Sequence, residues 1–247
     1  MSDPREDAVY FAKLHEQSDR YDDMTTRMKE IAQMNVELTI EERNLISAAY
    51  KNVIGTLRAS WRILTSIEQK EEMKGNARHL EIVREYKENV ENKIETLCNE
   101  IIGLLNDNLI PSQHSTDAKI FFLKMKGDYC RYLTEFFYGE KRRGAAENSL
   151  AAYQEATDIA QSDLPPANPL RLGLALNFSV FYFEILEAAE RAQMVAKHAF
   201  DAAAPVIDTL SEESMKDAML IMQLLRDNIA LWSSSAGPSQ EEKTTES

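Results

Sequence analysis

The chain has 247 residues, with 28 Lys and Arg against 41 Asp and Glu, a formal net charge of −13. That balance would bring negative charge up to a nucleic-acid phosphate, so a general nucleic-acid binder is set aside. With 8 Gly and 7 Pro, turn residues are too scarce for a fold of many short strands, and apolar residues at 44% argue against disorder. The two cysteines, Cys98 and Cys130, lack a C-x-x-C spacing and read as small buried hydrophobes of a reducing compartment. The N-terminus has no apolar leader core. The most apolar stretch, Leu174 to Leu186, is interrupted by Asn177, Ser179 and Glu184, so no membrane span is expected.

In chain order the punctuation is helical. Asp3 can cap a first helix, with Pro4 at its first position. A second short helix follows a break near Ser18-Asp19. Thr39-Ile40-Glu41-Glu42 is a capping box opening a third, long helix to about Met73, stopped by Gly75. A fourth runs from about Arg78 to Asn106 and is expected to stop before Pro111. A fifth begins after Ser115-Thr116-Asp117 and is expected to reach Gly139. A sixth spans Lys141 to Asp163, closed by Pro165-Pro166. Asn168-Pro169 caps a seventh, and Ala189 to Ala204 makes an eighth, closed by Pro205. Ser211-Glu212-Glu213 opens a ninth, ending near Trp232. No stretch alternates with period two. Short connections make neighbours antiparallel, so the expected fold is all-α, an array of nine antiparallel helices. Residues 1–233 read as the helical domain. Residues 234–247 read as a disordered acidic tail, which should compete weakly for a basic groove.

The chemistry of an enzyme is missing from the pattern. Gly139 to Gly144 has the glycine spacing of a phosphate loop, but Ala145 and Ala146 stand where Lys and Ser or Thr are needed. His15-Glu16 begins a zinc motif whose second His is Asp19, and the four histidines show no ligand spacing. Neither a metal site, a cofactor site nor a catalytic set is expected.

Two charged stripes stand out. Lys51, Arg58 and Arg62 fall within about 40° of one another on the third helix. Lys124, Asp128, Arg131 and Glu135 follow i, i+4, i+7, i+11 on the fifth, with Tyr132 beside Arg131. These are solvated faces laced by ion pairs, or else a convergent pocket for a dianionic phosphate. In the second reading Asp128 and Glu135 hold the arginines. The seventh helix puts Gly173, Asn177, Val180 and Glu184 on one face, and the ninth puts Ile221, Leu224, Asn228 and Leu231 on one face, followed by Trp232. An Asn in such a stripe is either an internally satisfied core residue or a group that bonds the backbone of an extended peptide.

At these residues the chain resembles the 14-3-3 family, over about Arg5 to Ser233. The motifs are RNLISAAYKNV (Arg43 to Val53), FLKMKGDYCRYL (Phe122 to Leu133), RLGLALNFSVFYFEIL (Arg171 to Leu186) and LSEESMKDAMLIMQLLRDNIALW (Leu210 to Trp232). Ala48, Met215, Ala218, Met219, Ile229 and Ala230 depart from the usual wording, which puts packing of the last helix in question more than ligand chemistry. REDAVYFAKL, ASWR and SIEQKEE are most similar to the epsilon-type branch.

The resemblance implies a cup-shaped protomer with an amphipathic groove, an adaptor that docks phosphoserine or phosphothreonine segments of client proteins. It implies Lys51, Arg58, Arg131 and Tyr132 on the phosphate and Asn177 and Asn228 on the peptide backbone. Leu176, Val180, Leu224, Leu231 and Trp232 would form the apolar wall, with Glu184 and Lys124 also lining the groove. It implies a homodimer, or a heterodimer with a paralogue, through Asp7, Leu14, Arg20, Asp23, Ser60, Arg78, Tyr86, Asn89 and Lys93. Asp7 and Arg78 keep the charges of one family salt bridge. Lys93 stands where an acid usually faces Arg20, and Asn89 where a Lys usually faces Asp23. Ser60 is a candidate phosphorylation site near that seam. The cytoplasm is the expected place, with the nucleus as a second. The weighed alternative is a tetratricopeptide-like scaffold indifferent to phosphate, suggested by Ala152 to Ala156 followed by Pro165-Pro166, but no second copy lies 34 residues away.

Overall fold

The computed structural model describes residues 3–235; of the tail expected over 234–247, Ser234 and Ser235 are helical and the rest lies outside the described residues. Among these residues there is no strand. Nine long α-helices run in order: α1 Pro4–Gln17, α2 Tyr21–Ala32, α3 Ile40–Lys74, α4 Ala77–Leu104, α5 Thr116–Leu133, α6 Gly139–Asp163, α7 Pro169–Glu184, α8 Ala189–Ala203 and α9 Glu212–Ser235. A 3₁₀ segment, Ala204–Thr209, joins the last two.

The local signals act as their chemistry demands. The Asp3 side chain accepts the Arg5 amide at 2.9 Å, with Pro4 at the first position. The Thr39 hydroxyl accepts the Glu42 amide at 3.2 Å while the Glu42 carboxylate accepts the Thr39 amide at 2.8 Å, a complete capping box. Gly75 ends α3 at φ +68°, a left-handed conformation that costs a residue without Cβ nothing. Asn168 accepts from the Leu170 and Arg171 amides, with Pro169 opening α7.

Three boundaries differ from expectation. Helix α4 does not stop ahead of Pro111. It widens into a π turn, Leu105–Leu109, and continues through Ile110–Ser112. The Ile110 amide reaches back to the Leu105 carbonyl. A wider turn relieves the clash between a proline ring and the preceding turn, so Pro111 is accommodated rather than excluded. Helix α5 ends at Leu133, six residues before Gly139. The Thr134 and Glu135 amides tighten onto the Arg131 and Tyr132 carbonyls three residues back, and the Thr134 hydroxyl takes the Arg131 carbonyl at 2.6 Å. Phe136, 6% exposed, then turns inward beside Trp61. Gly139 accordingly opens α6. Finally, α9 runs three residues past Trp232.

The chain divides into two compact units, one through Ser149 and one from Leu150, with the boundary inside α6. The first has its core in α1 to α5, around Met24, Met28, Ile46, Ile54, Ile94, Ile101 and Phe122. Tyr50 donates to Glu100 at 2.7 Å and Glu100 pairs with Lys29 at 2.6 Å, joining α2, α3 and α4. Cys98 and Cys130 are free and buried; burial pushes the Cys130 thiol up to about 11 and raises Cys98 further, so both pack as apolar groups. In the second unit α9 packs on α7 and α8, over a cluster of Tyr153, Phe178, Phe181 and Tyr182 with centroids 4.6 to 6.2 Å apart. Ala218, one of the departures in α9, is fully buried there, Ile229 is half-buried and Ala230 is exposed. Met215 is half-buried, and Met219 is 58% exposed, an apolar side chain on the open face of the helix.

Candidate functional site

The charged stripes of α3 and α5 meet in the first unit. Arg58 grips Glu135 with both branches of its guanidinium: Nε donates at 3.1 Å and Nη2 donates to the second carboxylate oxygen. Its Cζ stands 3.8 Å from the centroid of the Tyr132 ring, and Arg131 approaches the same ring at 5.0 Å. Arg131 lies 3.6 Å from Asp128, which also accepts from Lys124 at 2.9 Å. Arg62 reaches Glu135 at 3.6 Å from a more exposed position. The side chains of Arg58, Arg131, Glu135 and Asp128 are between 9% and 17% exposed, so these are withdrawn charges rather than a solvated face.

The physics of such a cluster is a trade. Desolvating a guanidinium is costly unless an acid and further hydrogen bonds compensate it. Glu135 and Asp128 supply that compensation and, being bidentate or shared, also hold the guanidiniums in one orientation. Burial pushes the Tyr132 phenol above its ordinary value. Asp128 adds to the rise, while Arg131 and Arg58 act the other way. The hydroxyl therefore keeps its proton and is a donor at neutral pH. Lys51 lies two turns before Arg58 on α3, is exposed, and pairs with no acid among the described residues. Arg58, Arg131 and Tyr132 are thus brought together as the stripes predicted, with Lys124 tied to the Asp128 that flanks Arg131. The bidentate Arg58–Glu135 contact spans 77 positions and has no local signature in the sequence.

In the second unit the α7 stripe carries Leu176, Asn177 and Val180 half-buried and Glu184 exposed. On α9, Asn228 is half-buried, while Leu224 and Leu231 stand 44% and 61% exposed. Large aliphatic side chains left open in this way favour an apolar contact. Trp232 differs: it is 3% exposed and stacks on Phe183 with centroids 4.9 Å apart, so it supports the stripe from below.

The residues expected at a dimer contact are on the surface of the first unit. Leu14 and Tyr86 are 41% and 61% exposed, and Asn89 and Lys93 are exposed on α4. Arg20 pairs with Asp23 at 2.5 Å and Arg78 with Glu81 at 2.9 Å, each within its own chain. The Ser60 hydroxyl donates to the Thr56 carbonyl at 3.0 Å. Asp7 is exposed in the first turn of α1.

Among the described residues no group of three His, Cys, Asp or Glu is placed to hold a metal ion, and no helix is long and apolar enough to cross a membrane. Gly139 to Ala146 forms the first turns of α6, a helix rather than a phosphate-cradling loop.

Comparison with known proteins gives one answer. The family model described as 14-3-3 protein matches residues 11–233. The 14-3-3 family protein artA of Aspergillus flavus is 59% identical over 93% of this chain and 97% of its own length. The 14-3-3 protein epsilon of Drosophila melanogaster is 60% identical over 93% of this chain and 88% of its own. The checkpoint signal transducer rad24 of Schizosaccharomyces pombe is 57% identical over 94% and 86%. These matches disfavour the helical-repeat alternative.

Proposed function

The chain belongs to the 14-3-3 family, and from that premise we propose which of its residues do the work of a phosphopeptide-binding adaptor. The first unit supplies the phosphate subsite. Lys51, Arg58 and Arg131 neutralise the dianion and Tyr132 donates its hydroxyl to a phosphate oxygen. The observation that carries this reading is the convergence of Arg58, Arg131 and Tyr132, held by Glu135 and Asp128. A guanidinium already fixed by an acid loses little further freedom when a phosphate arrives, which is preorganisation. Lys51, without such an acid, adds charge from a flexible stem.

The second unit supplies the peptide subsite. The amides of Asn177 and Asn228 offer both a donor and an acceptor to an extended backbone. Leu176, Val180, Leu224 and Leu231 receive apolar side chains, Trp232 supports them, and Glu184 and Lys124 add polar contacts. Residues 1–233 act on the ligand as one domain. The work is binding and positioning, not catalysis, and it takes place in the cytoplasm. The partners are phosphorylated client proteins. The exposed Leu14 on α1, Ile63 on α3, and Ile82 and Tyr86 on α4 point to a second copy, or a paralogue, covering these helices.

The test is a fluorescence titration with one peptide in phosphorylated and unphosphorylated form. Binding of the phosphorylated form alone, weakened by inorganic phosphate or high salt, supports the assignment. Equal affinity for the two forms overturns it.

A further inference from the structure

In the second unit, α6, α7 and α8 enclose a cavity of about 310 Å³. Its lining carries Arg171, Arg191 and His198, and no aspartate or glutamate. In a chain with 41 acids, a wall with cations and no acid is unusual chemistry. Neither arginine forms an ion pair among the described residues.

Arg171 is half-buried. Its Nη1 donates to the Leu164 carbonyl at 2.7 Å, with the Ala160 and Gln161 carbonyls at 3.5 Å, so one branch caps the end of α6. Its Nε and Nη2 take no acceptor among the described residues. Arg191 stands with its Cζ 5.1 Å from the Tyr182 centroid, and Tyr182 stacks on Phe178 at 4.6 Å. The cavity therefore combines an aromatic floor with two guanidiniums that no acid neutralises.

Its volume lies at the small end of the roughly 300–1,000 Å³ of small-molecule sites, too little for an extended peptide. It also lies away from the peptide stripe. On α7 the positions of Arg171, Leu174, Phe178 and Tyr182 point about 130° away from those of Asn177, Val180 and Glu184, at 100° per residue.

We propose that this cavity is a second ligand site, for a small aromatic monoanion whose ring lies on Phe178 and Tyr182 and whose carboxylate or sulfonate group meets Arg171 and Arg191. The site is separate from the phosphopeptide residues and does not rest on their assignment.

The experiment titrates the full chain with 1-anilinonaphthalene-8-sulfonate, followed by fluorescence and calorimetry. It is repeated with saturating phosphopeptide and with uncharged N-phenyl-1-naphthylamine. Two variants place a carboxylate at the exposed mouth, Arg191→Glu and Met194→Glu, with melting curves as the check on folding. The expected result is one site per chain, unchanged by phosphopeptide. Each variant, and loss of the sulfonate, should weaken binding at least about tenfold. Displacement of the probe by phosphopeptide overturns the proposal. So does unchanged affinity in both variants, or the absence of saturable binding below about 1 mM.

Discussion

Both units have apolar cores with ring contacts, but they differ in how far charge ties one helix to the next. The first is laced by charge from helix to helix. Arg5 clasps Glu42 with two bonds of 2.6 Å, Lys29 meets Glu100 at 2.6 Å, Arg58 grips Glu135, and Arg84 and Lys87 share Glu68. The second is held by rings. Tyr153, Phe178, Phe181 and Tyr182 stack among themselves, Phe183 stacks on Trp232, and the pairs Lys197–Asp201 and Lys216–Glu212 join only residues four apart on one helix. Charges that are directional and withdrawn from water confer specificity, whereas rings and aliphatic stripes confer area. On the proposed reading, phosphate dependence belongs to the first unit and apolar affinity to the second.

The largest test of this contrast is Phe181→Ala. Phe181 is fully buried and touches Tyr153, Phe178 and Tyr182, so the variant should lose about 3–5 kcal/mol of stability, read by chemical denaturation. A loss below about 1 kcal/mol would mean that the ring cluster does not hold the second unit.

Next comes Lys51→Glu. Putting an anion two turns from Arg58 removes attraction to a phosphate and adds repulsion, with no buried partner disturbed. Phosphopeptide affinity should fall at least about a hundredfold at physiological salt, with helicity unchanged. Retained binding would sink the phosphate assignment and with it the first unit's share of the comparison.

The acid limb of stability should belong to the first unit. Burial of Glu42 raises its pKa, but the bonds from Arg5 and from the Thr39 amide and hydroxyl outweigh it, and the folded value lies below the ordinary one. A depressed carboxylate contributes stability that is fully present above the unfolded value, about 4.3, and is lost as pH falls through the folded value. Glu42→Gln should therefore cost about 1–2 kcal/mol at pH 7, and the cost should shrink as the pH falls through the folded value. An equal cost at both pH values would show that the charge is immaterial there.

Leu224→Ala probes the apolar share. Leu224 is 44% exposed, and trimming it should reduce phosphopeptide affinity about fivefold, roughly 1 kcal/mol, while leaving the salt dependence of binding unchanged. A change in the salt dependence would contradict the division of labour.

The smallest effect concerns self-association. Arg20 is already occupied by Asp23 in its own chain, and Lys93 on α4 is exposed. If those two cations face each other across a two-fold axis, Lys93→Glu should tighten the homodimer by a few tenths of a kcal/mol, visible by sedimentation at low micromolar concentration. Wild type fully dimeric at nanomolar concentration, with no change in the variant, removes the repulsion argument.

What the amino-acid order by itself determined is whatever is decided within one or two helical turns. Thr39 with Glu42, Gly75, Asn168 with Pro169, and the break at Asp19, where φ is +55°, act on amides and carbonyls a few residues away. The register of Lys51 with Arg58, and of Lys124, Asp128 and Arg131, is set by the same helical period, so the cationic stripes could be seen before any tertiary contact was known. The motif wording added the family. Tertiary structure decided the rest, because the deciding partner was distant in sequence or shaped by packing. Pro111 stays inside a helical stretch because a π turn precedes it. Helix α5 stops at Leu133 because Phe136 is drawn into the core beside Trp61. Trp232 is buried and stacked on Phe183, a contact that the spacing of α9 does not show. Whether Arg58 faced solvent or an acid depended on Glu135, 77 residues on. The acid-free cavity arises only where three helices, each ordinary in pattern, turn Arg171, Arg191 and two aromatic rings toward one another.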